Sequence, residues 1–167
     1  MKLLIHDLNE EELACLELKP KDNLRILSDN GTLRPCIGCF GCWIKTPGEC
    51  VLKDDLKDMG LWLSQCDEVI IISRCAYGSY SPFMLNVLNR SIPYILPYFE
   101  ERNSEIHHMS RYENQIKLSV YFYGEDTDES ERTTARALVK ANEVNFHCKE
   151  SNVSFHSGLK TIREVLQ

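Results

Sequence analysis

Four cysteines within fifteen residues are the side chains in this sequence most able to do chemistry. Cys36, Cys39 and Cys42 follow a C-x2-C-x2-C spacing, and Cys50 comes after seven further residues. Three thiolates at this spacing can bind an iron-sulfur cluster, as in bacterial ferredoxins, and a fourth completes the ligand set. A zinc site is the competing interpretation, although zinc sites usually pair two C-x2-C knuckles across a longer insert. The third alternative is that the four thiols are reduced and purely structural.

The composition predicts one domain, spanning residues 1–167, with a full hydrophobic core, because 43% of the residues are hydrophobic. A formal net charge of −6 disfavours nucleic acid as a partner, since the chain lacks the basic stripe that binds phosphates. Neither a signal peptide nor an apolar stretch long enough to cross a bilayer is recognisable, so we expect a cytoplasmic protein that does not bind membranes. In a reducing compartment, clustered cysteines indicate metal, cluster or redox chemistry more than disulfides.

Apolar segments that are predicted to form strands alternate with segments that are predicted to form helices. The strands are expected at residues 1–8, 22–28, 68–73, 116–122 and 143–148. The segment 68–73 is the clearest of them, because a continuous β-branched run is typical of a parallel strand buried on both faces. This alternation indicates an α/β sheet with helices on both faces.

Residues that favour helix starts mark several of the helices. Asn9 is expected to cap a helix that ends at Lys19-Pro20, and Ser81-Pro82 is expected to open another that ends near Asn89-Arg90. Asp54 or Asp55 is predicted to cap a third, which runs to about residue 66. Two further helices are expected at residues 126–141 and 159–166.

The candidate site lies at the carboxyl ends of the strands, because ligands of such sheets bind where the strand order reverses. The loops at this edge are the cysteine segment, residues 74–80 and Tyr123-Gly124. A long connection at about 91–115 has no clear pattern, and connections of this length are usually functional or interfacial. Its aromatic part, residues 92–99, is expected at a subunit interface, or alternatively in the core of the monomer.

These segments resemble the flavodoxin-like NAD(P)H-dependent FMN reductases, and particularly the iron-sulfur flavoproteins among them. The resemblance rests on the cysteine segment leading into Lys53-Asp54-Asp55, and on strand 68–73 followed by Tyr77-Gly78-Ser79 and a helix ending Leu88-Asn89-Arg90-Ser91. It covers most of residues 22–124 and implies a doubly wound sheet of five parallel strands in the order 2-1-3-4-5. The implied activity is that of a homo-oligomeric oxidoreductase, in which FMN takes a hydride from NAD(P)H and passes electrons to an acceptor or protein partner.

The resemblance also assigns residues to the cofactors. Beside the flavin it places Arg74, Cys75, Ala76, Tyr77, Gly78 and Ser79 from the third loop, and Tyr123 and Gly124 from the fourth. A 4Fe-4S cluster would be bound by Cys36, Cys39, Cys42 and Cys50, and would transfer single electrons. Judged from its neighbours alone, Cys75 is either a reactive thiol beside Arg74 or a small residue packed under the loop.

The loop after the first strand departs from the pattern of these relatives. They usually have a glycine- and serine-containing loop there, whose backbone N–H groups bind the FMN phosphate. Here the segment Asp7-Leu-Asn-Glu-Glu-Glu12 has no glycine and four carboxylates, which are expected to repel a phosphate. Either the phosphate is bound elsewhere, by Arg34 or Arg74, or FMN affinity is weak or lost. The alternative function is therefore that of a member without FMN, acting as an interaction partner or subunit.

Overall fold

The computed structural model describes residues 1–18 and 23–166. Its main sheet has five parallel strands, namely β1 (Lys2–His6), β2 (Leu24–Ser28), β3 (Glu68–Arg74), β6 (Lys117–Tyr123) and β7 (Glu150–His156). The remaining strands, β4 (Ile95–Arg102) and β5 (Glu105–Ser110), form a separate antiparallel hairpin. The order β2-β1-β3-β6-β7 is the 2-1-3-4-5 order of a five-stranded doubly wound sheet. The predicted flavodoxin-like α/β fold is therefore confirmed.

The helices cover both faces of this sheet. They are α1 (Glu10–Cys15), α2 (Gly41–Ile44), α3 (Met59–Ser64), α4 (Pro82–Asn89), α5 (Glu129–Asn145) and α6 (Leu159–Leu166), with one 3-10 turn at Ile92–Tyr94. Successive residues of a strand point to opposite faces. Leu3 and Ile5 of β1 accordingly join the larger core, under α3, α4 and α5, while Leu4 joins a smaller core with residues of α1 and α6. Within the described ranges, no helix is long and apolar enough to cross a membrane.

Two predicted helix starts are confirmed in detail. Asn9 and Glu12 form a capping box at α1, in which each side chain accepts the backbone N–H of the other residue. Ser81 caps α4 by accepting the N–H of Met84, and Pro82 occupies the first helical position. The predicted helix end at Lys19-Pro20 and the first residue of the predicted second strand, Asp22, lie outside the described residues.

The predicted fifth strand was misplaced. Residues 143–145 belong to the last turn of α5, and the strand is β7, which begins at Glu150. The helix continues because its apolar stripe, which includes the buried Ala135 and Val139, has helical spacing. β7 pairs only with β6 and is an edge strand of the sheet, so it tolerates polar residues and has little apolar signal.

The connections on either side of the central strand also differ from expectation. α3 begins at Met59 with Asp58 at its N-cap, because the carboxylate of Asp54 is bound by Arg90 instead of capping a helix. The cysteine segment, predicted as a loop, contains the short helix α2. The long connection contains the β4–β5 hairpin, whose pattern is obscured by Pro97 and by a register shift between Ile95 and Phe99.

Candidate functional site

The carboxyl ends of β1, β3 and β6 meet where the strand order reverses, and one side chain connects them. The Asp7 carboxylate accepts the backbone N–H of Arg74 at 2.9 Å and the hydroxyl of Ser73 at 3.3 Å through Oδ2. Its other oxygen, Oδ1, accepts the Tyr123 hydroxyl at 3.0 Å. These donors come from 66 to 116 residues further along the chain, so only the folded sheet assembles them.

Tyr123 remains protonated in this arrangement. Burial raises the pKa of its phenol, and the negative charge of Asp7 together with the hydrogen bond to that residue raises it further. The hydroxyl therefore donates to Asp7 across the physiological range. Gly124, which follows at a φ of +149°, donates its N–H to the carbonyl of His156 at 3.1 Å and leads into the next loop.

A tight turn at residues 76–79 projects beyond the end of β3. Ala76 and Ser79 exchange two backbone hydrogen bonds of 2.9 Å, and Tyr77 and Gly78 between them have positive φ angles of 53° and 72°. Positive φ at both central positions is typical of a type I′ turn, which is rigid. The Tyr77 side chain at its tip is 94% exposed. A tyrosine held on a rigid turn and facing solvent offers a stacking surface for a planar ligand.

Gly78 is required for this turn by space as well as by its backbone angle. A Cβ at this position would lie 2.9 Å from the carbonyl oxygen of Glu131 and 2.9 Å from Cβ of Thr134. The turn is thus packed directly against α5, and its position is fixed by a long helix rather than by the turn alone. A substitution at Gly78 would displace Tyr77 with it.

Cys75 lies under the turn, where its surroundings disfavour the reactive thiolate considered from its neighbours. It is half-buried and continues the sheet by donating its N–H to the Tyr123 carbonyl at 2.9 Å. Burial raises the pKa of its thiol, and a hydrogen bond with Thr127 opposes this only in part. The adjacent Arg74 is exposed and does not reverse that shift. The packing interpretation therefore accounts for Cys75.

Four backbone N–H groups of the β1–α1 loop already have acceptors within the chain. Asp7 N–H bonds to the Ile72 carbonyl at 3.3 Å, and Leu8 N–H to Nδ1 of His6 at 3.3 Å. The N–H groups of Asn9 and Glu12 are both engaged in the capping box at 2.9 Å. A loop that binds phosphate needs such groups to point outward together. This loop therefore does not fit the FMN phosphate, in agreement with the charge pattern of its sequence.

The four clustered cysteines are brought together by the fold. Cys36, Cys39, Cys42 and Cys50 line one apolar cavity of about 80 Å³, which also contacts Ile92. Burial, followed by the charges of Cys50 and of the other two thiols, raises the pKa of Cys42 to about 11. The thiols are thus near enough to interact electrostatically. Cys39 additionally accepts the N–H of Gly41 at 3.4 Å.

This cavity is not a preformed site for a single metal ion. Among residues 1–18 and 23–166, no three His, Cys, Asp or Glu side chains are grouped closely enough to hold one. A 4Fe-4S cluster has its ligands on separate iron atoms and requires a wider arrangement of thiols than one ion does.

A buried ion pair fixes the two ends of the cysteine segment, and no local sequence pattern indicates that its two residues pair. The Arg90 guanidinium is fully buried and binds both carboxylate oxygens of Asp54, at 2.9 and 2.6 Å. It also donates to the Arg34 carbonyl at 2.6 Å, and the Arg34 N–H donates to Asp54 at 3.0 Å. Burial alone would raise the pKa of Asp54, but these hydrogen bonds lower it. Arg90 thereby connects the end of α4 to both sides of the segment.

Aromatic side chains connect the cysteine segment to the β4–β5 hairpin. Phe40 stacks on Trp43 at 5.3 Å between ring centroids, Trp43 contacts His108 at 4.9 Å, and His108 contacts Phe99 at 4.6 Å. Phe40, Phe99 and the nearby Ile106 are 49%, 64% and 68% exposed. We refer to these five residues as the aromatic surface. The segment 92–99 is divided, because Tyr94 is in the core while Phe99 is on this surface.

Comparison with known proteins identifies relatives in structure but not in sequence. No protein-family model matches the chain, and no curated protein matches it in sequence. The structure is similar to the NAD(P)H:quinone oxidoreductase from Methanothermobacter marburgensis, with a TM-score of 0.60, 12% identity, and coverage of 99% of this chain and 94% of that chain.

Two bacterial reductases have the same architecture. The FMN-dependent NADH-azoreductase from Bacillus anthracis str. Ames Ancestor, solved in complex with FMN, gives a TM-score of 0.53 and 10% identity over 92% of this chain and 85% of that chain. The azoreductase from Bacillus anthracis str. Sterne gives a TM-score of 0.54 and 14% identity, with coverage of 98% and 89%. At these identities the similarity establishes the flavodoxin-like fold alone.

Proposed function

We propose that this protein is a flavin-dependent oxidoreductase related to the NAD(P)H-dependent FMN reductases. The observation that carries the proposal is the turn at residues 76–79, which exposes Tyr77 just beyond β3, one of the two strands between which the strand order reverses; Cys75, before the turn, is hydrogen-bonded to Tyr123. Ligands of doubly wound sheets bind at this reversal. The similar folds belong to NAD(P)H-linked or FMN-dependent oxidoreductases, which supports the same class of reaction.

A bound flavin would supply the acceptance of a hydride from NAD(P)H and the onward transfer of its two electrons. The residues proposed to hold its ring are those of the turn, Arg74, Cys75, Ala76, Tyr77, Gly78 and Ser79, with Tyr123 and Gly124 from the neighbouring loop. Tyr77 would stack on the ring, and Gly78 would hold that tyrosine in place against α5. The β1–α1 loop does not fit the phosphate of FMN, so recognition in this proposal comes from the ring.

A 4Fe-4S cluster bound by Cys36, Cys39, Cys42 and Cys50 is the proposed next site for electrons. Such a cluster supplies single-electron transfer. The chain contributes a shared apolar cavity and an N–H donor to Cys39. α4 connects the two sites, because it begins after the turn and ends at Arg90, and its eight residues span about 12 Å.

The aromatic surface supports the further proposal that the protein is a homo-oligomer. Large exposed apolar patches usually mark contacts between proteins. A two-stranded hairpin is also marginally stable by itself, and a second copy of the chain would cover it. The alternative proposal is that a protein redox partner binds this surface, since the surface includes Phe40 and Trp43 of the cysteine segment. The mass in solution of the wild type and of a Phe99→Glu variant distinguishes the two.

A second function is favoured by the β1–α1 loop. Several of its N–H groups already have acceptors within the chain and Asp7 lies at the strand-order reversal, as expected of a member that has lost flavin and acts as a subunit of a competent flavoprotein. In that case the fold and the aromatic surface would be retained for binding the partner.

The decisive experiment is anaerobic purification, with the absorption spectrum and the flavin and iron content measured per chain. The proposed function predicts flavin bands at about 370 and 450 nm, with broad absorption at about 400 nm where the cluster is present. After reconstitution with flavin, NAD(P)H should bleach the flavin bands. A colourless protein after anaerobic reconstitution with flavin, iron and sulfide would contradict the proposal and favour the subunit function.

A further inference from the structure

We propose that the Asp7 carboxylate, at the strand-order reversal, takes the place that the phosphate of FMN would occupy. The site would then bind flavins without a phosphate more tightly than FMN. The inference rests on the proposed function, because it concerns the tail of the same flavin. Riboflavin and FMN differ only in the terminal phosphate. A preference between them therefore reports directly on the tail end of the site.

The Asp7 carboxylate lies between the ends of β1 and β3, where a sheet of this strand order binds its ligand. The Arg74 N–H and the Tyr123 hydroxyl donate hydrogen bonds to it, and the Ser73 hydroxyl, which also lies 3.1 Å from the Arg74 carbonyl, is 3.3 Å away. Hydrogen bonds to an ionised acceptor are about twice as strong as neutral ones. The donors that could have received a phosphate already bind an anion.

The surrounding donors support the same preference. Leu8 N–H is bound to His6, whose own side chain is only 1% exposed, so this contact is inside the chain and not at a ligand surface. The N–H groups of Asn9 and Glu12 are bound to each other's side chains. A phosphate that used these N–H groups would have to break these contacts, whereas a tail of neutral hydroxyl groups would not.

The charges near Asp7 also support this preference. Asp7 is followed by Glu10, Glu11 and Glu12 in the first turn of α1, all close to the same strand end. Arg74, at the end of β3, is a single cation against these four carboxylates. The balance is negative and opposes a dianion. Hydroxyl groups, by contrast, are donors that carboxylate oxygens accept.

The test is a titration of the purified protein, stripped of bound flavin, with riboflavin and with FMN, followed by flavin fluorescence. We expect riboflavin to bind at least about tenfold more tightly than FMN at low salt, with a smaller ratio at high salt because surface charges are screened. Asp7→Asn should raise FMN affinity at least about fivefold, so that the ratio of riboflavin affinity to FMN affinity falls by at least about fivefold.

Two further variants separate the charge of Asp7 from other effects. Asp67→Asn removes the same charge at the opposite, amino ends of the strands. It should leave the ratio of the two affinities unchanged. Tyr123→Phe removes one donor to Asp7 but not its charge, and should preserve the preference for riboflavin.

The outcomes distinguish this inference from the proposed function. If FMN binds as tightly as riboflavin, and Asp7→Asn leaves the ratio unchanged, the role of Asp7 is overturned while the proposed function stands. If neither flavin binds to the wild type or to the Asp7→Asn variant, both are overturned.

Discussion

The turn at residues 76–79 and the β1–α1 loop lie at the same edge of the sheet, yet they present opposite surfaces. The turn is rigid and points an exposed Tyr77 outward. The loop binds four of its N–H groups within the chain and carries several carboxylates. In the proposed flavin site, the two ends can therefore change independently, because each end is built by a different strand.

α4 begins after the turn and connects it, through Arg90, to the cysteine segment. The largest effect is expected for a substitution of Arg90. Arg90→Gln would leave the Asp54 carboxylate buried without its partner, at an expected cost of about 3–5 kcal/mol in the free energy of unfolding. Urea denaturation of the wild type and the variant measures this cost.

The exposed ion pair between Arg136 and Glu129 provides the matched control. These side chains are 48% and 71% exposed, so Arg136→Gln should change stability by less than about 1 kcal/mol. Equal effects of the two substitutions would mean that Arg90 does not hold the cysteine segment in place.

The same pair predicts how stability depends on pH. Because the pKa of Asp54 is lowered in the folded state, the unfolded chain binds more protons, so the stabilisation is complete at neutral pH and declines as pH falls through the folded-state pKa. The difference in stability between wild type and Asp54→Asn should be constant above about pH 5 and narrow below about pH 4. Urea titrations at several pH values test this, and a difference independent of pH would contradict it.

A smaller effect is expected at the tip of the turn. Tyr77→Ala should weaken flavin binding by about 5- to 160-fold through the loss of stacking, since stacking of a base on an aromatic side chain contributes about 1–3 kcal/mol. Folding stability should not change, because the side chain is 94% exposed. The measurement is flavin affinity by fluorescence, alongside thermal unfolding.

Tyr98 is the control for this prediction, because it is also a largely exposed tyrosine, at 65%, but lies on the hairpin. Tyr98→Ala should leave flavin affinity within about twofold of the wild type. Equal losses from the two substitutions would argue against a specific role for the turn.

The smallest effect is expected in the loop. Asn9→Ala removes the capping side chain of α1 and should destabilise the fold by about 1 kcal/mol. It also frees the N–H of Glu12, yet the carboxylates remain, so FMN affinity should stay low. A large gain in FMN binding from Asn9→Ala would mean that hydrogen bonds, and not charge, close this end of the site.

The features that the sequence predicted correctly depend on local signals. The start of α4 was found because Ser81 and Pro82 are capping residues wherever they occur, and β3 because its apolar run is continuous. The absence of glycine near Asp7 was visible too, and it indicated a problem for the phosphate. β7 was misplaced because an edge strand carries little apolar signal.

The contacts that decide the site come from distant residues and could not be predicted. Arg90 and Asp54 are 36 positions apart, and the cap expected at Asp54 was wrong because nothing local indicates this partner. Tyr123 and Asp7 are 116 positions apart. Whether a carboxylate caps a helix, binds an arginine or fills a ligand position is decided by the packing of the sheet.

Binding of lumiflavin, which has the flavin ring without the ribityl tail, tests the central claim most directly. Since the ring-side turn carries recognition in this account, lumiflavin should bind within about tenfold of riboflavin, and Tyr77→Ala should weaken both by the same factor. Tight binding of FMN together with no detectable binding of lumiflavin would contradict the account, because recognition would then come from the phosphate.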